Sequence, residues 1–199
     1  MRPLSLLLCC FLFLGMPGAF AQSAWQKANE QRIKANKINM YVLGGWAAGN
    51  LIFSGIRRAQ TTGETRYFHE MNVAWNLVNL GLAGGGLYGA YTEKPEGYSF
   101  AQTYQEQQKI EKILLFNCAL NFTYMTAGAW LRERSKTATN NPARLRGYGN
   151  SLILQGAFLL AFDATQIVIH QQTGGKTLKG LLPQMQYIGN GVGLSWWLP

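Results

Sequence analysis

Four apolar segments, each near the length of a membrane span, alternate with polar connections along the chain. They run from Met40 to Ile56, from Met71 to Tyr91, from Ile113 to Leu131 and from Tyr148 to His170. A helix of about 20 residues crosses roughly 30 Å of hydrocarbon. The pattern therefore predicts an all-α fold, in which residues 38–171 form a four-helix transmembrane bundle.

A shorter apolar run lies at the N-terminus, from Leu4 to Leu14, and Arg2 precedes it. The sequence Ala19-Phe20-Ala21 has the small-x-small form of a leader cleavage site. These features predict a signal peptide over residues 1–21, cleaved before Gln22. The alternative is an uncleaved anchor helix.

Polar segments flank the predicted bundle on both sides. Residues 22–37 are compatible with a short amphipathic helix that contacts the membrane interface through Trp25. After the fourth segment, Thr173-Gly174-Gly175 predicts a break. Residues 172–199 are then expected to be an irregular C-terminal interfacial segment, either an anchor or a short extended strand.

The distribution of charge favours a lipid bilayer over nucleic acid as the partner. Charged residues are only 14% of the chain, against about a quarter in typical soluble proteins, and the net charge is +9. The Lys and Arg residues gather at the ends of the apolar segments, as the positive-inside rule describes, and not on one soluble face. Together with the leader, this predicts a bacterial inner-membrane protein with periplasmic N- and C-termini.

Amide, imidazole and acid side chains recur at helical spacing within the apolar segments. An amide facing lipid would leave strong hydrogen-bonding groups unpaired, so these residues are expected to turn toward one another. They form either hydrogen bonds that only hold the helices together or a polar, ligand-binding centre. The candidate residues are Asn50, His69, Asn72, Asn76, Asn79, Asn117, Asn121, Gln155, Asp163 and Gln166.

Asp163 is the acid placed well inside a predicted span, which makes it a functional candidate. The alternative is a neutral acid hydrogen-bonded to amides. His69 and His170 fall at opposite ends of the predicted bundle, so they cannot bind one ion. Cys118 is the single cysteine outside the leader. The sequence therefore predicts no metal site, no cofactor and no catalytic residue.

Three functions compete on these grounds. The first is a non-enzymatic membrane protein whose Asn/Gln-lined centre binds a small ligand or lipid, or conducts protons or solutes. The second is a structural or assembly subunit of an envelope complex that contacts a membrane-protein partner. The third is a membrane enzyme acting on lipid. Nucleic acid is not expected as a partner.

The mature chain resembles an uncharacterised family of small membrane proteins from Bacteroidota, defined by a domain of unknown function. The resemblance implies a membrane location and brings no activity, ligand or catalytic residue. It rests on Trp46-Ala47-Ala48-Gly49-Asn50, on the stretch from His69 to Asn79, on the stretch from Ala129 to Arg134, and on Arg146-Gly147-Tyr148-Gly149-Asn150-Ser151.

Overall fold

A computed structural model of the protein describes residues 16–182, 185–188 and 191–194. Four long helices make up most of these residues: α1 (Met16–Gln60), α2 (Gly63–Thr92), α3 (Phe100–Arg134) and α4 (Pro142–His170). Each of them contains one of the four apolar segments, so the prediction of four helices is confirmed. The leader prediction concerns residues 1–21, most of which lie outside the described part of the chain.

The connections between helices use local backbone chemistry. Gly63, which opens α2 after the turn from α1, has a φ of +58°, a left-handed conformation that glycine adopts without steric cost. Ser99 begins α3 with a capping box, in which its hydroxyl accepts from the Gln102 backbone and the Gln102 side chain accepts from the Ser99 backbone. Pro142 occupies the first turn of α4, where no intrahelical N–H bond is lost.

Consecutive helices run antiparallel, but the packing order differs from the chain order. Helix α1 packs along α2, α2 packs on α4, and α4 packs along α3. Helices α2 and α3 make little direct contact in the described residues, so a cleft remains between them with α4 as its floor.

Glycines bring α3 and α4 together at close range. A β-carbon added to Gly128 would lie 2.6 Å from the backbone oxygen of Gly149, and one added to Gly156 would lie 2.8 Å from the Asn121 oxygen. Such distances exclude any side chain, as in the small-residue contacts of membrane helices.

The bundle is polar inside and apolar outside over the predicted spans. The buried residues of α2 are His69, Asn72, Asn76, Asn79, Ala83 and Ala90. In contrast, large apolar residues of this helix face outward, and Leu77 and Leu80 are 58% and 41% exposed. This distribution is the reverse of that in a soluble helical protein, where the apolar stripe faces the core.

The predicted short N-terminal helix is not a separate element, and this expectation is corrected. Residues 22–37 continue into the first apolar segment within the 45-residue α1. No Gly or Pro lies between residues 19 and 43, and Ala, Gln, Lys, Arg and Glu are frequent there, so nothing ends the helix. Trp25 does not need a membrane partner, because its ring packs edge-on against Phe100 at 6.0 Å.

The prediction of an irregular C-terminal segment with a break at Thr173-Gly174-Gly175 is corrected, whereas its alternative of a short extended strand agrees with the structure. Helix α4 continues through a π-helical turn (Gln171–Gly175) into α5 (Lys176–Leu181), and then strands β1 (Met185–Ile188) and β2 (Gly191–Leu194) pair antiparallel. Gly174 and Gly175 allow close contact instead of breaking the helix. An added β-carbon would lie 3.0 Å from Gln107 Oε1 at Gly174 and 3.1 Å from Glu111 Oε1 at Gly175.

In the described part of the chain, one helical stretch is long and apolar enough by composition to cross a membrane, Pro142–Leu181. It contains α4 and the two short elements that follow.

Candidate functional site

The polar residues near the α1–α2 turn form a closed hydrogen-bonded group, which we call the inner network. Asn72 is at its centre, and its Oδ1 accepts from the Ser151 hydroxyl and from Gln155 Nε2, both at 2.8 Å. Ser54 Oγ lies 3.4 Å from Asn72 Nδ2 and 3.2 Å from His69 Nδ1. These side chains come from α1, α2 and α4, so the network ties three helices together.

Two stacked aromatic side chains border the inner network. Trp46 Nε1 donates to Gln155 Oε1 at 3.2 Å, and the Trp46 ring stacks on Phe158 with centroids 3.7 Å apart. Asn50 does not join the network, because its amide donates to the Trp46 backbone oxygen of its own helix at 2.9 Å.

Two further amides of α2 extend the stripe toward the other end of the bundle. Asn76 Nδ2 donates to the Asn72 backbone oxygen at 2.8 Å, and Asn79 Nδ2 donates to Asn76 Oδ1 at 3.4 Å. Asn76 is fully buried. The predicted amide face of α2 is therefore mostly packed between helices, and Asn79 is the member that reaches open space.

That space is the central cleft, two adjoining chambers between α2 and α3 of about 430 and 260 Å³. The larger chamber extends toward α1 and the end of the bundle where α2 ends, which we call the outer end. The smaller, deeper chamber lies nearer the middle of α2. Five residues line both chambers: Leu43, Leu82, Asn117, Phe162 and Asp163.

Asp163 lies where the two chambers meet. It is 5% exposed, and its Oδ2 accepts a hydrogen bond of 2.6 Å from Asn121 Nδ2 on α3. No cation pairs with its carboxyl group among the described residues. Asp163 is thus a buried acid held by one amide beside empty space.

Two polar residues of the same α4 face, one and two turns further on, line the larger chamber without hydrogen-bond partners. Gln166 Oε1 and both ring nitrogens of His170 are buried and have no partner in the part of the chain that the structure describes. His170 is fully buried. Buried polar atoms are normally satisfied, so these three atoms indicate an interaction with a bound molecule or with water.

An ion pair closes the outer end of the larger chamber. Arg32 of α1 is 2% exposed, and its guanidinium contacts Glu93, at the end of α2. Its Nε also donates to Asn29 Oδ1 at 2.9 Å. A second pair, Lys109 with Glu106, lies at 3.4 Å on the rim.

The opposite end of the bundle carries exposed charge. Arg58 contacts Glu70 at 3.2 Å, and the Tyr148 hydroxyl donates to the other Glu70 oxygen at 2.6 Å. The Tyr148 hydrogen bond, followed by the smaller effect of Arg58, lowers the pKa of Glu70. This end anchors α1, α2 and α4 to one another and shows no buried unpaired group among the described side chains.

The sequence-predicted residues thus divide between two places. His69, Asn72, Asn76 and Gln155 belong to the inner network, whereas Asn79, Asn117, Asn121, Asp163 and Gln166 lie at the central cleft. Asn50 belongs to neither. Four further residues line the cleft and are not among the site candidates predicted from the sequence: Arg32, Trp75, Tyr124 and His170. Helical spacing alone places His170 on the same face as Asp163 and Gln166, but it enters the sequence prediction only as a candidate metal ligand.

Comparison with protein families identifies a relationship for this chain. A family model described as "Family of unknown function (DUF6992)" matches residues 42–164, which include α2, α3 and most of α4. No curated protein and no solved structure matches the chain.

Proposed function

The chain belongs to the DUF6992 family of unknown function, and on that premise we propose that it is a non-enzymatic membrane protein. We propose further that it binds a small amphiphilic ligand or a lipid in the central cleft. The buried, unpartnered atoms of Gln166 and His170 beside Asp163 are the observation that carries the proposal.

The surface of the bundle supports a membrane location. Large apolar side chains are exposed on all four helices, for example Ile52, Leu77, Phe122 and Val168, while most of the amides and the acid are buried. In water this arrangement would expose apolar area at about 25 cal/mol per Å² and bury polar groups at a further cost. In hydrocarbon the same arrangement is favourable, since buried amides such as Asn72, Asn76 and Asn121 have protein partners.

The membrane we propose is the bacterial inner membrane, with both termini in the periplasm. The proposal combines the leader with the arginines at the α1–α2 and α3–α4 connections, which would be cytoplasmic. Sequencing the N-terminus of membrane-purified protein should give Gln22 as the first residue. An intact Met1 would contradict both the cleavage and the orientation built on it.

The geometry supports binding over conduction. The inner network fills the cytoplasmic half of the bundle with paired and fully buried groups such as Ser54, Ser151 and Gln155. A path for ions or solutes would have to pass through these contacts. The cleft opens between helices in the outer half, as expected of a site that exchanges its ligand with the outer leaflet or the periplasm.

A second candidate function, an assembly subunit, is favoured by the outer half of α2. A β-carbon added to Gly81, Gly84 or Gly85 would meet nothing within 4 Å, so these glycines present a bare helix surface. Bare helix surfaces permit close approach of another membrane helix. This function is compatible with ligand binding, since the glycines lie outside the cleft.

Purification in a mild detergent, followed by mass spectrometry of the co-purifying molecules, tests the proposed function. Asn117→Trp would place an indole in both chambers, whereas Leu115→Trp would place one on the exposed side of the same helix. We expect a bound molecule with wild type and Leu115→Trp but not with Asn117→Trp. The same small molecules in all three preparations, or none in any, would contradict the proposal.

A further inference from the structure

We infer that the ligand of the central cleft carries a protonated amine, placed against Asp163, on an apolar chain. This inference rests on the proposed function, because it names the chemical class that the same cleft would accept. Three features of the cleft support it: its charge balance, the unpaired acceptor oxygens of Asp163 and Gln166, and the aromatic side chains of the deeper chamber.

The charge balance of the larger chamber leaves one acid unmatched. Of the charged residues in its lining, Arg32 pairs with Glu93 and Lys109 pairs with Glu106. Asp163 remains without a cation within the described chain. An ionised carboxylate in a low-dielectric site is costly unless it is paired, and a ligand cation would supply the pair.

Two of the unpaired atoms nearest the acid are acceptors. Gln166 Oε1 can only accept, and Asp163 Oδ1 makes no hydrogen bond with the described residues. The Gln166 amide nitrogen and the His170 ring also carry donors, but neither of these groups can supply a charge to pair with the carboxylate while the ring is neutral. An alkylammonium group has three donors and a positive charge, so it complements the two acceptor oxygens, whereas a phosphate or carboxylate would bring further acceptors beside the acid.

Aromatic side chains line the deeper chamber beside the acid. Trp75 and Tyr124 meet edge to face with centroids 4.7 Å apart, and Phe162 lines the chamber together with Asp163. Aromatic faces attract organic cations through their quadrupoles, and Trp is the most effective of them. Leu43, Leu82, Ile113 and Leu114 provide the apolar contact for the chain of the ligand.

An ammonium group on an apolar chain has two available sources. One is the headgroup of an aminophospholipid, and the other is a free amine that partitions into the membrane. Both share the chemistry that Asp163 would recognise, so the test uses a free amine as the probe and varies the lipid separately.

The test measures thermal unfolding of the full-length protein in phosphatidylcholine nanodiscs at neutral pH, titrated with dodecylammonium, dodecanol or dodecanoate. We expect dodecylammonium to raise the unfolding midpoint saturably, and dodecanol and dodecanoate to require concentrations at least about tenfold higher, since an unpaired buried charge costs more than one power of ten in affinity. Asp163→Asn should remove the preference for the amine, and Asp163→Glu should keep most of it.

The outcomes separate the inference from the proposed function. Saturable stabilisation by dodecanol or dodecanoate at the same concentrations, abolished by Asn117→Trp, would overturn the inference of an amine ligand. It would still support a binding site in the central cleft. An unchanged amine preference in Asp163→Asn would also overturn it. The absence of any saturable effect with wild type would overturn both. Nanodiscs containing phosphatidylethanolamine then identify the source: stabilisation by this lipid alone, with weaker response to dodecylammonium, indicates the headgroup, and no effect indicates a free amine.

Discussion

The side-chain amide of Asn121 on α3 donates a 2.6 Å hydrogen bond to the carboxylate of Asp163 on α4. The two residues lie 42 positions apart in the chain, and both are almost fully buried. The contact fixes the acid at the junction of the two chambers of the central cleft, with one of its oxygens occupied. It therefore connects the packing of α3 on α4 with the chemistry proposed for the cleft.

The inner network should be a major source of stability. Asn72→Leu removes the acceptor of both Ser151 and Gln155, and each buried donor left unpaired costs about 1–3 kcal/mol. We expect the unfolding midpoint in detergent to fall clearly. Leu77→Ala, one helical turn away on the exposed side, is the matched control and should change little. Similar losses in both variants would contradict the assignment of the two faces.

The glycines of the bundle should differ sharply in their tolerance of a methyl group. Gly128→Ala would place its β-carbon 2.6 Å from the Gly149 oxygen and should destabilise α3–α4 packing by about 1–3 kcal/mol. Gly84→Ala meets nothing within 4 Å and should be neutral or stabilising by up to about 1 kcal/mol through helix propensity. Chemical denaturation of both variants checks this contrast. A destabilised Gly84→Ala would instead indicate that α2 is covered by a partner.

The pair of buried Arg32 with partly exposed Glu93 should hold the N-terminal part of α1 against the end of α2. Arg32→Leu leaves Glu93 and Asn29 without their partner, and because Glu93 is partly exposed the loss should be smaller than the roughly 3–5 kcal/mol of a fully buried pair. The double variant Arg32→Leu with Glu93→Leu should recover part of that loss. Unfolding measurements on the two single variants and the double variant give the coupling. Additive effects would mean that the pair does not act as a unit.

Glu70 should give a small stability gain that disappears in acid. Its pKa in the folded protein lies below the ordinary value of 4.5, so the gain is present above pH 4.5 and is lost as the pH falls through the folded pKa. The unfolding midpoint of wild type minus that of Glu70→Gln should be positive at neutral pH and approach zero in acid. The group is partly exposed, so we expect at most about 1 kcal/mol.

Tyr148→Phe provides the matching test, since it removes the main cause of the lowered pKa. In the Tyr148→Phe background, the unfolding midpoint with Glu70 minus that with Glu70→Gln should change less between acid and neutral pH. A difference that is equally large without the Tyr148 hydroxyl would show that the hydrogen bond is not its source.

The orientation proposed for the bundle predicts which connections are accessible from outside the cell. In a Cys118→Ser background, a cysteine at exposed Thr62 or Thr139 should resist an impermeant thiol reagent in intact cells. One at exposed Gly97, in the α2–α3 connection, should react. The reversed pattern would invert the topology, and reaction at all three positions would remove the membrane proposal.

The four helices and the buried face of α2 could be predicted from the amino-acid pattern alone. Apolar segments of spanning length and amides spaced three and four residues apart are local properties, and periodicity alone gives the helix and the face. The same spacing identified Asp163 and Gln166 as members of one face of α4. The resemblance to a family of unknown function was also recognisable from the sequence, because it rests on short stretches of residues within the matched range 42–164.

The packing of the helices determines which polar residues are buried between helices and which line a cleft, and the sequence pattern does not contain this information. Asn72 and Asp163 look alike in the sequence, since each belongs to a stripe of polar residues at helical spacing on an apolar segment. Asn72 meets Ser151 and Gln155 because α2 packs on α4, while Asp163 faces space because α2 and α3 stay apart. Likewise, the sequence predicts a helix over residues 22–37. The contact of buried Arg32 with Glu93 forms only because α1 extends past the end of α2. Helix spacing depends on residues far apart in the chain, such as Gly128 and Gly149, and no local pattern contains it.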